Sequence, residues 1–261
     1  MSKKTKILFI TAASLMVLGL AVFASVMTAL GWDFTKLNTV ERETNTHIIN
    51  EEFYSISIQT DTADIVFLPS ENGQTKVVCR EDVNEKHIVS VENGTLTVKS
   101  VDGRKWYEHI GINFGSTKIT VYLPAKEYGE IKIKTSTGDI KIQDMTLESL
   151  DISVSTGGTK LSYITCKNIV SRGSTGDIDM KYVIVQEKMS VIRSTGDIEF
   201  KECDAHEIYF KTSTGDVEGS LISGKDFKVK TSTGDIDIPK NVTGGKCEII
   251  TSTGDVDITI R

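Results

Sequence analysis

The sequence is poor in most of what enzymes and nucleic-acid binders advertise. It has three prolines and 7% aromatic residues among 261 positions. That scarcity, beside abundant Thr, Ser, Gly, Ile and Val, points to β structure. No P-loop, dinucleotide fingerprint or Gly-x-Ser-x-Gly is present. The histidines His47, His87, His109 and His206 stand apart, with no His-x-His or His-Glu-x-x-His, and read as ordinary surface residues. A formal net charge of -6 excludes nucleic acid as a partner, because phosphate binding needs basic patches. Cys79, Cys166, Cys203 and Cys247 are spaced by 87, 37 and 44 residues, which matches no zinc pattern. They read as small buried hydrophobes, with disulfides as the alternative that an oxidising compartment permits. The sequence asks for no cofactor and no catalytic residue.

What is present begins at the N-terminus. Lys3, Lys4 and Lys6 precede an uncharged run of 24 residues, Ile7 to Leu30. The run exceeds the ~20 residues a helix needs to span a bilayer. The lysines predict a cytoplasmic N-terminus, with the rest of the chain outside the cell membrane. A cleaved signal peptide is the rival reading, though its apolar core is usually only ~7–15 residues long. The expected organisation is a cytoplasmic tip and anchor over 1–32, a polar linker over 33–46, N-terminal β coils and a cap over 47–130, and a repeat region over 131–261.

The repeat region carries the strongest signal. Ser-Thr-Gly-Asp recurs with its glycine at Gly138, Gly176, Gly196, Gly215, Gly234 and Gly254, and Gly157 is a seventh copy in which Gly158 replaces the aspartate. Successive spacings are 19, 19, 20, 19, 19 and 20. Alternation precedes each glycine, as in Phe227-Lys-Val229-Lys-Thr231, and follows it, as in Ile236-Asp-Ile238. Period-two alternation marks a strand with one buried face. The glycine, able to take positive φ, turns the chain between two such strands. Hairpins would advertise Asn-Gly turns, and 131–261 has none. The expected fold is therefore all-β: a parallel β-solenoid, right-handed by the crossover rule, of 19–20-residue repeats behind one transmembrane helix. Within 47–130, Glu92-Asn93-Gly94-Thr95 predicts a hairpin, and Pro69 and Pro124 predict strand ends.

The repeat hydrophobic-x-hydrophobic-x-Thr-Ser-Thr-Gly-Asp resembles the DUF4097 family, as does Thr-Val-Tyr-Leu-Pro at 120–124. The resemblance covers His47 to Arg261. It implies a toastrack-type β-repeat domain, a family labelled adhesin and grouped with envelope-stress proteins, and the anchor fits a LiaG-like arrangement. It implies no catalytic residues.

Stacked repeats turn sequence columns into ladders about 4.8 Å apart. Asp177, Asp197, Asp216, Asp235 and Asp255 form one such column. Three roles are open for it: each Asp bonding backbone N–H groups of its own turn, a row of divalent-cation ligands, or a glycan-cleaving carboxylate pair. Lys134, Arg172, Lys211 and Lys230 suggest a partial basic ladder. Trp106, Tyr107 and Phe114 lie in the most aromatic outer segment and are candidates for partner contact or for closing the cap. The C-terminal repeat shows no capping sequence, so the last coil is expected to present an open edge to a second copy or an envelope protein. The expected function is a membrane-tethered, non-catalytic scaffold or sensor in envelope-stress signalling. The alternative is an adhesin for glycan or protein, and a polysaccharide-cleaving enzyme is more distant.

Overall fold

The structure is a computed structural model, and it describes residues 2–37, 41–102, 117–240 and 242–261. The described residues fall into two units, one up to Glu41, the other from Arg42 to Arg261.

In the first unit, helix α1 spans Lys3–Ala29 and is capped by the Ser2 hydroxyl, which accepts the Thr5 N–H. By length and composition it can cross a membrane, and its apolar side chains are exposed except Met27, which is buried. Its polar side chains are hidden locally. Thr11, Ser14, Ser25 and Thr28 each donate their hydroxyl to the carbonyl four residues earlier. That satisfies groups that hydrocarbon could not.

Among the described residues the second unit is mostly β, one 17-stranded sheet built on the repeat. Strands β8 (Glu127–Thr137), β9 (Ile140–Thr156), β10 (Thr159–Thr175), β11 (Ile178–Ile192) and β12 (Ile198–Lys211) run through successive repeats. Each pairs in parallel with the next, so one repeat forms one rung. Register stacks like on like. Leu96, Ile56, Ile131, Leu150, Ile169, Met189, Ile208 and Cys247 form one buried column. Ile119, Ile65, Ile140, Thr159, Ile178, Ile198, Val217 and Val256 form another across the corner. A fully buried Ile or Leu contributes roughly 1.5–3 kcal/mol, so these columns dominate the stack's stability.

The N-terminal strands are β1 (Arg42–Ile49), β2 (Ser55–Thr62), β3 (Asp64–Pro69), β4 (Thr75–Asp82), β5 (Glu85–Glu92), β6 (Thr95–Asp102) and β7 (Lys118–Leu123). Strands β2 and β3 form a rung against β8 and β9. On its other side β2 pairs in parallel with β6 and β3 with β7, and only beyond these does the pairing turn antiparallel: β1 with β4, β4 with β7, β5 with β6. The expected hairpin turn is present, with Asn93 at φ 50° and Gly94 at φ 73°. Strand β3 ends at Pro69 and β7 just before Pro124, as expected. Regular structure already begins at Arg42, across the boundary drawn between 46 and 47.

The C-terminal end departs from the expectation. Strands β13 (Val217–Leu221), β14 (Lys225–Lys230), β15 (Ile236–Asp237), β16 (Gly245–Ile250) and β17 (Val256–Ile260) do not stack in chain order. Strand β16 pairs with β12 on one side and β14 on the other, and β17 lies between β13 and β15. The last repeat is thus inserted inside the stack. The open edge belongs to the penultimate repeat, Lys225–Asp237, and not to the C-terminal strand. Two connections cross to achieve this, against the usual rule for sheet topology. Glycine makes the crossing possible. A Cβ on Gly244 would lie 1.9 Å from the Gly224 carbonyl oxygen, and one on Gly245 would lie 2.2 Å from that of His206. The buried Lys225 ammonium meets Asp204 at 2.5 Å beside this crossing.

Candidate interaction surfaces

The corner ladder comes first, because every Ser-Thr-Gly-Asp contributes to it. The seven corner glycines have φ between 122° and 147°, and a Cβ on any of them would fall 2.0–2.4 Å from a carbonyl oxygen of the neighbouring rung. Glycine is required twice over, by conformation and by close approach. The aspartates do not fold back on their own turns. Each carboxylate but that of Asp235 reaches to the neighbouring rung and accepts the backbone N–H there. Asp64 accepts from Asp139, Asp139 from Gly158, Asp177 from Asp197, Asp197 from Asp216, Asp216 from Asp255 and Asp255 from Asp235, at 2.7–3.0 Å. Threonine hydroxyls add a second ladder: Thr212, Thr251 and Thr231 donate to the carbonyls of Gly196, Gly215 and Gly254, each at 3.1 Å. Gly158 has no side chain to offer, so the carboxylate ladder breaks between Asp139 and Asp177.

Other columns are rearranged by the stacking. Lys134, Arg172, Lys211 and Lys230 are separated by Ser153, Ile192 and Ile250 in the same column, so they form no continuous basic ladder. Asp179, Glu199, Glu218, Asp257 and Asp237 do stack consecutively. Partial desolvation and the surrounding acids Asp216, Asp257, Glu199 and Asp197 raise the Glu218 pKa above the usual carboxylate range.

A second corner lies six residues after the glycine. Asp144, Tyr163, Tyr182 and Glu202 occupy it with φ of 50–55°, unusual for non-glycine residues. Tyr163 and Tyr182 stack face to face, with centroids 4.9 Å apart and planes 14° from parallel. Tyr163 is 58% exposed. The column Gln143, Ser162, Lys181 and Lys201 runs alongside.

Two polar groups sit where the sequence suggested none. His87, read as a surface residue, is buried in the N-terminal cap. Its Nδ1 lies 2.6 Å from a Glu81 carboxylate oxygen, and its Nε2 lies 3.0 Å from the Thr60 hydroxyl. Asn45 donates to the other Glu81 oxygen, and Cys79 is close by. Glu81 shares the inward parity of Cys79, a signal for the carboxylate and not for the histidine. Arg193 is also buried, in the column of Thr135, Thr212, Thr231 and Thr251. Its guanidinium donates to the Ile192 carbonyl and to the hydroxyls of Thr159 and Ser171. Burial lowers its pKa to about 10. Gly173 makes the room: a Cβ there would meet Arg193 at 3.1 Å. All four cysteines are free thiols, and burial pushes Cys79, Cys166 and Cys247 up to about 12 and Cys203 to about 11.

The end rung is the remaining surface. Among the described residues, β14 pairs only with β16 and β15 only with β17. Asp235 donates into the ladder, but no further rung uses its carboxylate. Phe227, Val229 and Ile238 are half-buried against the core, and Ile236 is 45% exposed. Trp106, Tyr107 and Phe114 lie outside the described residues.

The Toastrack DUF4097 family model matches residues 53–261, nearly all of this β unit. The chain belongs to the Toastrack family. No curated protein matches it. Among solved structures, this Toastrack chain is similar to a "putative adhesin" from Bacteroides fragilis, at 17% identity and TM-score 0.44, covering 84% of this chain and 97% of that one. It is similar to a "putative cell adhesion protein" from Clostridium sporogenes, at 13% identity and TM-score 0.40, covering 85% and 100%. A "putative lipid binding protein" from Parabacteroides distasonis is 13% identical, with TM-score 0.35 and coverage of 85% and 98%.

Proposed function

We propose that this Toastrack protein is a non-catalytic scaffold or sensor, tethered by α1 with its N-terminus in the cytoplasm, whose β unit is a right-handed solenoid that binds a protein partner outside the membrane in envelope-stress signalling. The observation that carries the reading is the unpaired edge of Lys225–Asp237, where a sheet offers its backbone to a further strand. The periodic carboxylates support it too: those of the corner ladder from Asp64 to Asp255 hold backbone N–H groups, an architectural use. A photo-crosslinking residue at Lys230 or Asp237 of the full-length protein, tested in cells under envelope stress, is expected to capture a discrete partner. Capture no different from that of a probe at Lys160, on an inner rung, would sink the reading.

An adhesin reading draws on a different observation, the exposed Tyr163–Tyr182 stack. Two large aromatics held in a costly backbone conformation, beside Gln143, Ser162 and Lys181, suit the apolar face of a sugar ring. Glycan-array binding that survives Tyr163→Ala with Tyr182→Ala would refute it.

A further inference from the structure

We propose that the open edge of β14 pairs with the same edge of a second copy of this chain, antiparallel and two-fold symmetric, centred on Lys228. The inference rests on the reading of this rung as a contact surface and names its occupant. Backbone direction comes first. The Lys230 carbonyl accepts the Thr251 N–H, so Lys230 faces β16. N–H and C=O of successive residues in a strand alternate sides, which turns those of Phe227 and Val229 to the open side. Centring on Lys228 sets Phe227 opposite Val229 of the second copy, and Val229 opposite its Phe227. Each such pair exchanges two backbone hydrogen bonds.

Side chains fit the same register. Phe227 and Val229 face the core and are half-buried, so the pairing continues the apolar column into the second copy. On the outer face, Asp226 falls opposite Lys230 of the second copy, and Lys230 opposite its Asp226. The two central Lys228 ammonium groups would repel, but each is already held by Glu248 of its own chain at 2.7 Å. A shift of two residues one way sets Lys228 opposite Lys230, like charge against like; the other way sets Asp226 opposite Lys228, which Glu248 of its own chain already holds.

Disulfide trapping in the full-length protein in its membrane tests the register. Lys228 is the non-hydrogen-bonded centre of the pair, with Cα atoms roughly 4.5 Å apart, within disulfide range. The native thiols are buried and do not compete. Under mild oxidation, Lys228→Cys is expected to form a dimer about tenfold more than Asp226→Cys alone or Lys230→Cys alone, while Asp226→Cys mixed with Lys230→Cys restores crosslinking. Equal yields from all single variants would overturn the proposal. Val229→Pro removes an N–H that faces the open side and exchanges one half-buried apolar side chain for another, so Val229→Ala serves as the packing control. Added to Lys228→Cys, Val229→Pro should abolish the crosslink while the melting temperature holds, and an undiminished crosslink would also overturn the pairing. Capture of a foreign protein from Lys230 without any Lys228→Cys dimer refutes self-pairing and spares the contact-surface reading. Neither capture nor dimer refutes both.

Discussion

The break in the carboxylate ladder at Gly158 can be filled, and doing so measures what one ladder contact contributes. An ideal Cβ at Gly158 meets the Asp139 carboxylate oxygen at 3.5 Å and the Asp177 carbonyl oxygen at 3.8 Å, ordinary contacts, and the backbone there is not left-handed. An aspartate would sit above the Asp177 N–H, as Asp177 sits above that of Asp197 at 2.9 Å. The new hydrogen bond is worth about 1 kcal/mol at a partly exposed site. Replacing glycine adds about 0.5–1 kcal/mol by restricting the unfolded chain. Repulsion from Asp139 and Asp177 opposes these gains by roughly 0.2–1 kcal/mol at a surface. The net is about 1 kcal/mol, or about 2–4 °C in Tm for a unit of this size. Scanning calorimetry of Gly158→Asp, Gly158→Asn and Gly158→Ala separates the three contributions. Alanine tests the chain entropy, asparagine adds the acceptor, and aspartate adds the charge. If asparagine and aspartate both melt with alanine, the ladder contact contributes nothing and the reasoning fails.

Gly173→Thr should destabilise by about 1–3 kcal/mol by crowding Arg193, while Gly173→Thr with Arg193→Thr should recover most of it; additive losses in a double-mutant cycle would deny the coupling. Glu218→Gln should raise Tm at neutral pH. The folded pKa lies above the unfolded value, so ionisation opposes folding as pH rises through the folded value, and the gain should vanish well below pH ~4, where both states are protonated; a pH-independent gain would point elsewhere. Gly244→Ala should displace the crossing at Gly224, and hydrogen exchange should then show 245–260 opening well before the central rungs; unchanged protection would contradict the crossing.

Much of the fold was legible in the chain itself. The corner glycines, the alternation around them and the Asn93-Gly94 hairpin are local properties, because φ and side-chain parity are decided within a few residues. The apolar run of α1 is equally local. The site was less legible. Trp106, Tyr107 and Phe114 stand out by composition alone. Nothing marked Tyr163 and Tyr182, because the second corner that turns them outward carries no glycine. His87 and Arg193 gave no sign of burial, since each depends on partners from other strands: Glu81 and Thr60 for one, the void over Gly173 for the other.

Rung order is the clearest division between the two levels. The sequence alone determined that there are rungs, where they turn and which residues face inward. It could not determine which rung lies beside which, because Thr-Ser-Thr-Gly-Asp offers the same hydrogen bonds to any neighbour. Stacking energy is nearly indifferent to chain order, so the choice fell to the connections. Gly224, Gly244 and Gly245 let two backbones cross, and the buried Lys225–Asp204 pair stands at that crossing. Only the tertiary structure placed the last repeat inside the stack and left the penultimate one open at its edge.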